Sequence, residues 1–487
     1  MDKSDDREGR PGNGPEARPR RRVAARVPPP KPSAQPPAAA DDTPPATARP
    51  ERRKKSSPPG RRPSAARLPR HDNSVADARA GALALLAAVR SGATLSDAAA
   101  ALDHLPGADR ARAQRLAAET LRYRGRAEAV LAPLCPRRPR PEVHDILMLG
   151  TTEMLALAEA PHGVVNAAVA LAQRGAPKVR AAAGMVNAVL RRAASGQAIW
   201  NAAGPTELPA WVRRPMEQAW GGAAVSAIEA AHERAAPLDL TGKPGAVVPG
   251  EPLPTGSHRL PAGSQVTALP GYGSGDWWVQ DAAAALPVAV LAPRPGERIA
   301  DLCAAPGGKT LQLAAAGARV TAVDLSAQRL TRVADNMART GLAADLVAAD
   351  ALSWRPDAPL DAVLLDAPCS ATGTIRRHPE LPLIRDGSGI PELVAEQAAL
   401  IDRALDLLRP GGRLVYAVCS LLPAEGEDQL DAALARHPDC AVEPPDGPGI
   451  DPVWITASGG LRLRPDYWPD RGGMDGFFIA RLRRGQG

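Results

Sequence analysis

The chain has 487 residues, a formal net charge of +7, 44% hydrophobic residues and 3% aromatic ones. That is more than one hydrophobic core usually organises, so two or three domains joined by linkers are expected. Five scattered cysteines with no C-x-x-C pair argue against a disulfide framework and a structural zinc site. No stretch of about 20 uninterrupted apolar residues is present, and MDKSDDREGR is too acidic for a signal peptide, so a cytoplasmic, non-membrane protein is expected.

Residues 1–70 are Pro- and Arg-rich and hold 18 Lys or Arg against 8 Asp or Glu, a net of +10 that leaves about −3 for the rest. With almost no large apolar side chains this segment cannot offset its ordering entropy and reads as a disordered tail. Its charge suits nucleic acid through counterion release. Residues 71–200 change texture: VADARAGALALLAAVRSG, VHDILMLGTTEMLALAE and VRAAAGMVNAVLRRAAS carry apolar residues at three and four spacing, and Gly or Pro separates most segments. An all-helical domain is expected there. Residues 201–285 read as a connecting subdomain of short helical pieces with a Gly/Pro-rich run.

From 286 to 487 short apolar runs alternate with helical stretches: ERIADLCAA, RVTAVDLS, ADLVAAD, LDAVLLDAPCS and GRLVYAVCS. This implies a parallel sheet with helices on both faces, with GGMDGFFIARLRR as an antiparallel strand at its end. Ligands of such folds bind at the carboxyl ends of the strands.

The turn DLCAAPGGKT, residues 301–310, looks like a phosphate loop, with Lys309 for phosphates and Thr310 for magnesium. Cys303 replaces the loop's first glycine, however, and Pro306 removes a backbone N–H. An acid follows about 20 residues on, Asp324, as expected for a ribose diol, and Asp350 closes the next strand with a carboxylate able to accept from an adenine amine. The pattern suits an adenosyl ligand without phosphates whose sulfonium is cationic, S-adenosylmethionine.

LLDAPCS (364–370) and VYAVCS (415–420) each end an apolar strand with Cys-Ser. One such Cys reads as an inert buried side chain; two, Cys369 and Cys419, beside a methyl-donor site read as chemistry. Carbon 5 of a pyrimidine is too poor a nucleophile to take a methyl group directly. A thiolate adding at carbon 6 places electron density on carbon 5. A thiol near pKa 8.5 is only about 3% ionised at pH 7, so Lys309 or a helix terminus that lowers it raises the reactive population. Asp366 can hydrogen-bond the ring nitrogen and exocyclic amine of cytosine, whose ring must be unpaired or flipped to be reached.

These stretches, with HPEL, PAEGE and GGMDGFFIARL, resemble the RsmB, Sun or Fmu family of 16S ribosomal RNA 5-methylcytosine methyltransferases. LRYRGR, HGVVNAAVALA and MVNAVLRR look like the NusB-type RNA-binding domain. The resemblance implies a NusB-like domain before a Rossmann-like class I methyltransferase domain, and a monomer acting on small-subunit ribosomal RNA. It implies Cys419 as nucleophile and Cys369 as assisting product release, with Asp366 and Lys309 beside them in catalysis. Donor contacts then fall on Cys303, Ala304, Ala305, Pro306, Gly307, Gly308, Lys309, Asp324, Asp350 and Asp366, and no metal is implied. HPELPLIRD and PAEGED depart from the family at its Trp and Asn positions, which bears on substrate positioning. Two other readings remain: a non-catalytic RNA-binding factor and a phosphate-loop NTPase. His144, His162, His378, Cys135 and Cys440 receive no role.

Overall fold

The computed structural model describes residues 73–486; the basic tail lies outside the described residues. The first part is helical throughout: α1 (Asn73–Arg90), α2 (Leu95–Ala98), α3 (Gly107–Arg122), α4 (Arg124–Leu131), α5 (Pro141–Leu155), α6 (Pro161–Arg174), α7 (Pro177–Arg180), α8 (Ala183–Ala193) and α9 (Gln197–Ala202). Proline opens α5, α6 and α7, where its missing N–H costs no helical bond. The apolar stripes of α5, α6 and α8 meet in one core containing Leu147, Val164, Val186 and Leu190. Gly150 permits this crossing, since a Cβ there would lie 2.9 Å from a Leu190 methyl.

The next segment holds more than the short helical pieces expected of it. Helix α10 (Ala210–His232) is interrupted at Gly221, whose φ is +78°. After it, β1 (Leu238–Gly242), β2 (Glu251–Pro252), β3 (His258–Leu260) and β4 (Trp277–Val279) form an antiparallel sheet in the order β2-β3-β1-β4. Strands of two to five residues are too short to display an alternation that could reveal them. The buried pair Asp239–Arg259, at 2.7 Å, fastens this sheet to the chain's last loops, because the same guanidinium donates to the carbonyls of Arg471 and Gly473.

The remainder comprises α11 (Ala282–Leu291), β5 (Arg298–Leu302), α12 (Gly308–Ala315), β6 (Arg319–Asp324), α13 (Ala327–Thr340), β7 (Asp345–Ala348), β8 (Leu360–Asp366), α14 (Leu381–Ile384), α15 (Ile390–Asp406), β9 (Leu408–Val418), α16 (Glu427–Arg436), β10 (Ala441–Val442), β11 (Leu461–Leu463) and β12 (Phe477–Arg483). The sheet runs β10-β12-β9-β8-β5-β6-β7, with β11 also on β12. Strands β5 to β9 are parallel and β12 joins β9 antiparallel, as expected, but β10 lies outside it, so β12 is not the edge.

Both faces of the sheet are covered. Along β8, Val363 and Leu365 face the core under α15 while Ala362 and Leu364 face the one under α11, all four fully buried. A strand buried on both sides reads as a continuous apolar run, which is why LDAVLLD was recognisable. Consecutive connections leave β5 toward β6 on one side, while its other neighbour is β8. The crevice outside the carboxyl ends of β5 and β8 is therefore the switch point where a ligand is expected.

Candidate active site

All the turns named from the sequence meet in that crevice. After β5 the chain takes a left-handed step at Cys303 (φ +61°) and another at Gly307 (φ +100°) before α12 begins. A Cβ at Gly307 would stand 2.9 Å from Val333 of α13, so only glycine lets the turn lie this close. Asp324, the last residue of β6 and 2% exposed, holds the turn: one carboxylate oxygen accepts from the Ala305 N–H at 3.1 Å and the other from Ser326 N–H at 2.9 Å. Asp350, just past β7, is exposed and accepts from the Leu352 N–H at 2.9 Å. Its neighbour Ala349 donates to the Asp324 carbonyl at 3.1 Å, which carries the pairing of β6 and β7 to their carboxyl ends.

Lys309, in the first turn of α12, crosses to the end of β8 and donates to Asp366 at 2.8 Å. Burial opposes its charge, but Asp366, Asp301 and Cys419 outweigh that and hold the ammonium above the usual lysine range. It stays cationic at neutral pH. Its Nζ also lies 5.4 Å from the centre of the Phe477 ring. Behind it, burial and the repulsion of Asp366 and Asp324 push Asp301 up to about 7, against the hydrogen bond from Thr310 at 2.5 Å. Burial, then the same two carboxylates, pushes the Cys303 thiol up to about 12. Cys303 is a wall of the turn and carries no reactive charge.

The sulfurs of Cys369 and Cys419 are 3.5 Å apart. Sharing a proton with Cys419 raises Cys369 well above the ordinary thiol range, and its burial and the Glu425 carboxylate add to this. Cys369 is thus held as the neutral thiol. What sequence reasoning missed is the clamp beneath the pair. Glu425, fully buried, accepts from Ser370 N–H at 2.8 Å, Ser370 Oγ at 2.5 Å, Ser420 Oγ at 2.5 Å and Gln397 Nε2 at 3.1 Å. Thr372 closes the ring by accepting from Leu421 N–H at 2.8 Å. The repeated Cys-Ser at 369–370 and 419–420 was the available signal, since two equivalent serines five and fifty-five residues before one Glu invite a shared acceptor. The second omission is a buried lattice of Arg376 and Arg377 with Asp281 and Asp475, at 2.5 to 2.9 Å, which ties the segment after Cys369 to the start of α11 and the loop before β12.

The donor group fits the residues present. Three carboxylates at the ends of β6, β7 and β8, with the glycine turn after β5 between them, suit a cationic adenosyl ligand. The Asp324, Asp350 and Asp366 carboxylates end β6, follow β7 and end β8 at this open edge of the sheet. Thr310 cannot ligate magnesium, because its hydroxyl is fully buried and spent on Asp301.

Comparison with known proteins agrees. Residues 288–483 match the model of the 16S rRNA methyltransferase RsmB/F family and residues 76–195 that of the NusB family. The chain is 35% identical over 427 residues to ribosomal RNA small subunit methyltransferase B of Cronobacter sakazakii, covering 81% of this chain and 95% of that one. It is 36% identical over 444 residues to the protein of the same name from Xanthomonas campestris, covering 83% and 98%. The crystal structure of PH0851 shares the fold at a TM-score of 0.62 and 23% identity, over 83% of this chain and 98% of that one. With a donor crevice, a NusB domain and this extent of identity, the chain belongs to the ribosomal RNA small subunit methyltransferase B family of S-adenosylmethionine-dependent methyltransferases.

Proposed function

We propose that the protein methylates carbon 5 of a cytosine in small-subunit ribosomal RNA through a transient bond between Cys419 and carbon 6. The observation that carries this reading is the pair of sulfurs 3.5 Å apart, next to the Lys309–Asp366 ion pair, at the open end of the sheet. Within the donor crevice the residues would be Cys303 through Lys309, Asp324, Asp350 and Asp366, and the bound sulfonium supplies an electrophilic methyl group.

The Cys419 sulfur adds to carbon 6, and the ring's electron pair moves to carbon 5. Asp366 accepts from the exocyclic amine, which selects cytosine over uracil. The Lys309 ammonium, kept charged by its carboxylate neighbours, offsets negative charge as it develops on the ring. Once carbon 5 carries its methyl group, loss of its proton to water restores the double bond and expels the sulfur. Cys369, already holding a proton 3.5 Å away, donates to the departing thiolate and so assists release. Direct methylation of an exocyclic amine would need no sulfur and leaves this pair without a purpose.

The test is transfer of labelled methyl groups to unmodified small-subunit ribosomal RNA with base-resolution mapping. Cys419→Ser is expected to abolish product, and Cys369→Ser to accumulate a protein–RNA adduct stable in detergent. Full activity in the Cys419→Ser variant would falsify the nucleophile assignment.

A further inference from the structure

We propose that a cavity behind the glycine turn holds the nucleotide adjacent to the target cytosine, so that the protein reads the sequence context of its substrate there. The proposal rests on RNA being the substrate. The cavity measures about 420 Å³, within the ~300–1,000 Å³ of small-ligand clefts. It opens beside the reacting centre, since Lys309 and Asp366 form one end of it, while Tyr272, Val279, Asn336 and Arg339 line the rest.

Its chemistry is that of a site for single-stranded RNA, which proteins hold by aromatic rings, amide edges and a cation near the phosphate. Arg339 is fixed by the Tyr272 and Trp277 carbonyls at 3.0 and 3.1 Å and lies 4.5 Å over the Tyr272 ring; its Nε is buried with no partner among the described residues. Thr340 takes the main-chain oxygen of Asn336, and no described residue takes its carboxamide, which leaves a donor and an acceptor for a base edge. Val279, 47% exposed, sits in the wall and leaves about half of its apolar surface open.

Two features favour a nucleotide over the methyl donor. Asp324 and Asp350, the residues proposed for the donor's sugar and base, do not line the cavity, whereas Ala304, Pro306, Gly307, Gly308, Lys309 and Asp366 do, so donor and nucleotide would share only the wall made by the glycine turn. Its only carboxylates, Asp281 and Asp366, are each paired with cations, so together with Arg339 the walls present no net negative charge to an anion. The walls are also rigid: a Cβ at Gly275 would lie 2.1 Å from the Arg339 carbonyl, so the 271–276 loop is pressed against the end of α13.

The test uses the full-length enzyme and a short ribosomal RNA fragment spanning the mapped cytosine. Asn336→Ala and Val279→Glu are expected to raise the half-saturating RNA concentration about tenfold, the scale of one lost base contact, with turnover at saturation and donor affinity unchanged. An abasic residue beside the target should slow the wild type by a similar factor and add nothing to Asn336→Ala, as expected of two changes at one contact. RNA dependence unaltered in both variants, donor affinity falling with them, or an abasic penalty that multiplies with Asn336→Ala would each overturn the proposal. Wild-type enzyme that methylates no RNA would overturn it together with the reading it rests on, whereas active wild type with unaffected variants sinks the cavity alone.

Discussion

Asp301 illustrates how the donor crevice trades stability for charge. Burial and neighbouring carboxylates push its carboxyl up to about 7, while the unfolded chain titrates near 3.8. The folded form therefore binds more protons between those values, and by linkage stability falls as pH rises through about 4 to 7. Asp301→Asn keeps an acceptor for Thr310 and cannot ionise. Its thermal midpoint should match the wild type near pH 4 and exceed it at pH 8, by a stability difference on the order of 4 kcal/mol at ~1.4 kcal/mol for each pH unit between 3.8 and about 7. Parallel midpoint-against-pH curves for the two proteins would contradict this. Lys309 is the counterpart, since Asp366, which burdens Asp301, together with Asp301 itself keeps the lysine charged.

Between elements, the decisive contact is Glu425, which joins the turn after β8 to the turn after β9. Glu425→Gln replaces one acceptor oxygen with a donor facing the serine hydroxyls, so the two Cys-Ser turns lose their common anchor. Turnover should fall by about 100-fold, the scale of a roughly 1 Å misplacement, while donor affinity stays as in the wild type. Unchanged turnover, measured with saturating RNA and donor, would remove Glu425 from this role. The elements holding this contact differed in how plainly they could be read. Strands β5, β6, β8 and β9 were legible because burial on both faces makes them mostly apolar, with Asp301 and Thr321 among the interior exceptions, and the turns were legible because Gly, Pro and Cys mark them. The small sheet of β1 to β4 was not, because its strands are short and its burial depends on Arg259 reaching loops more than 200 residues later. The partners of Asp281 and Glu425 escaped for the same reason: a carboxylate's sequence neighbours say nothing about which distant guanidinium or hydroxyl will meet it.

Across the whole molecule, the helical domain is seated on the catalytic one through polar contacts. Arg122 donates to the Arg376 carbonyl at 3.0 Å and Leu95 N–H reaches Glu380 at 3.2 Å, while Arg126 grips Glu233 of the connecting segment at 2.9 Å. His232 is buried among them. Its burial, then the charges of Arg376 and Arg122, push it down to about 3, and neither ring nitrogen has a protein partner among the described residues. The folded state refuses a proton that the unfolded chain accepts near 6.5, so this group's stability is intact above that pH and is lost as pH falls from about 6.5 toward 3. His232→Gln should flatten that acid-side decline in calorimetry, and an equally steep decline would show that another group sets it. Arg122 thus grips the backbone of the segment that follows Cys369 and anchors the helical domain there. On the proposed mechanism the molecule is a caliper with one jaw of helices and one of chemistry: an RNA shortened or lengthened between the parts that touch each jaw is expected to miss Cys419 even with its target base intact.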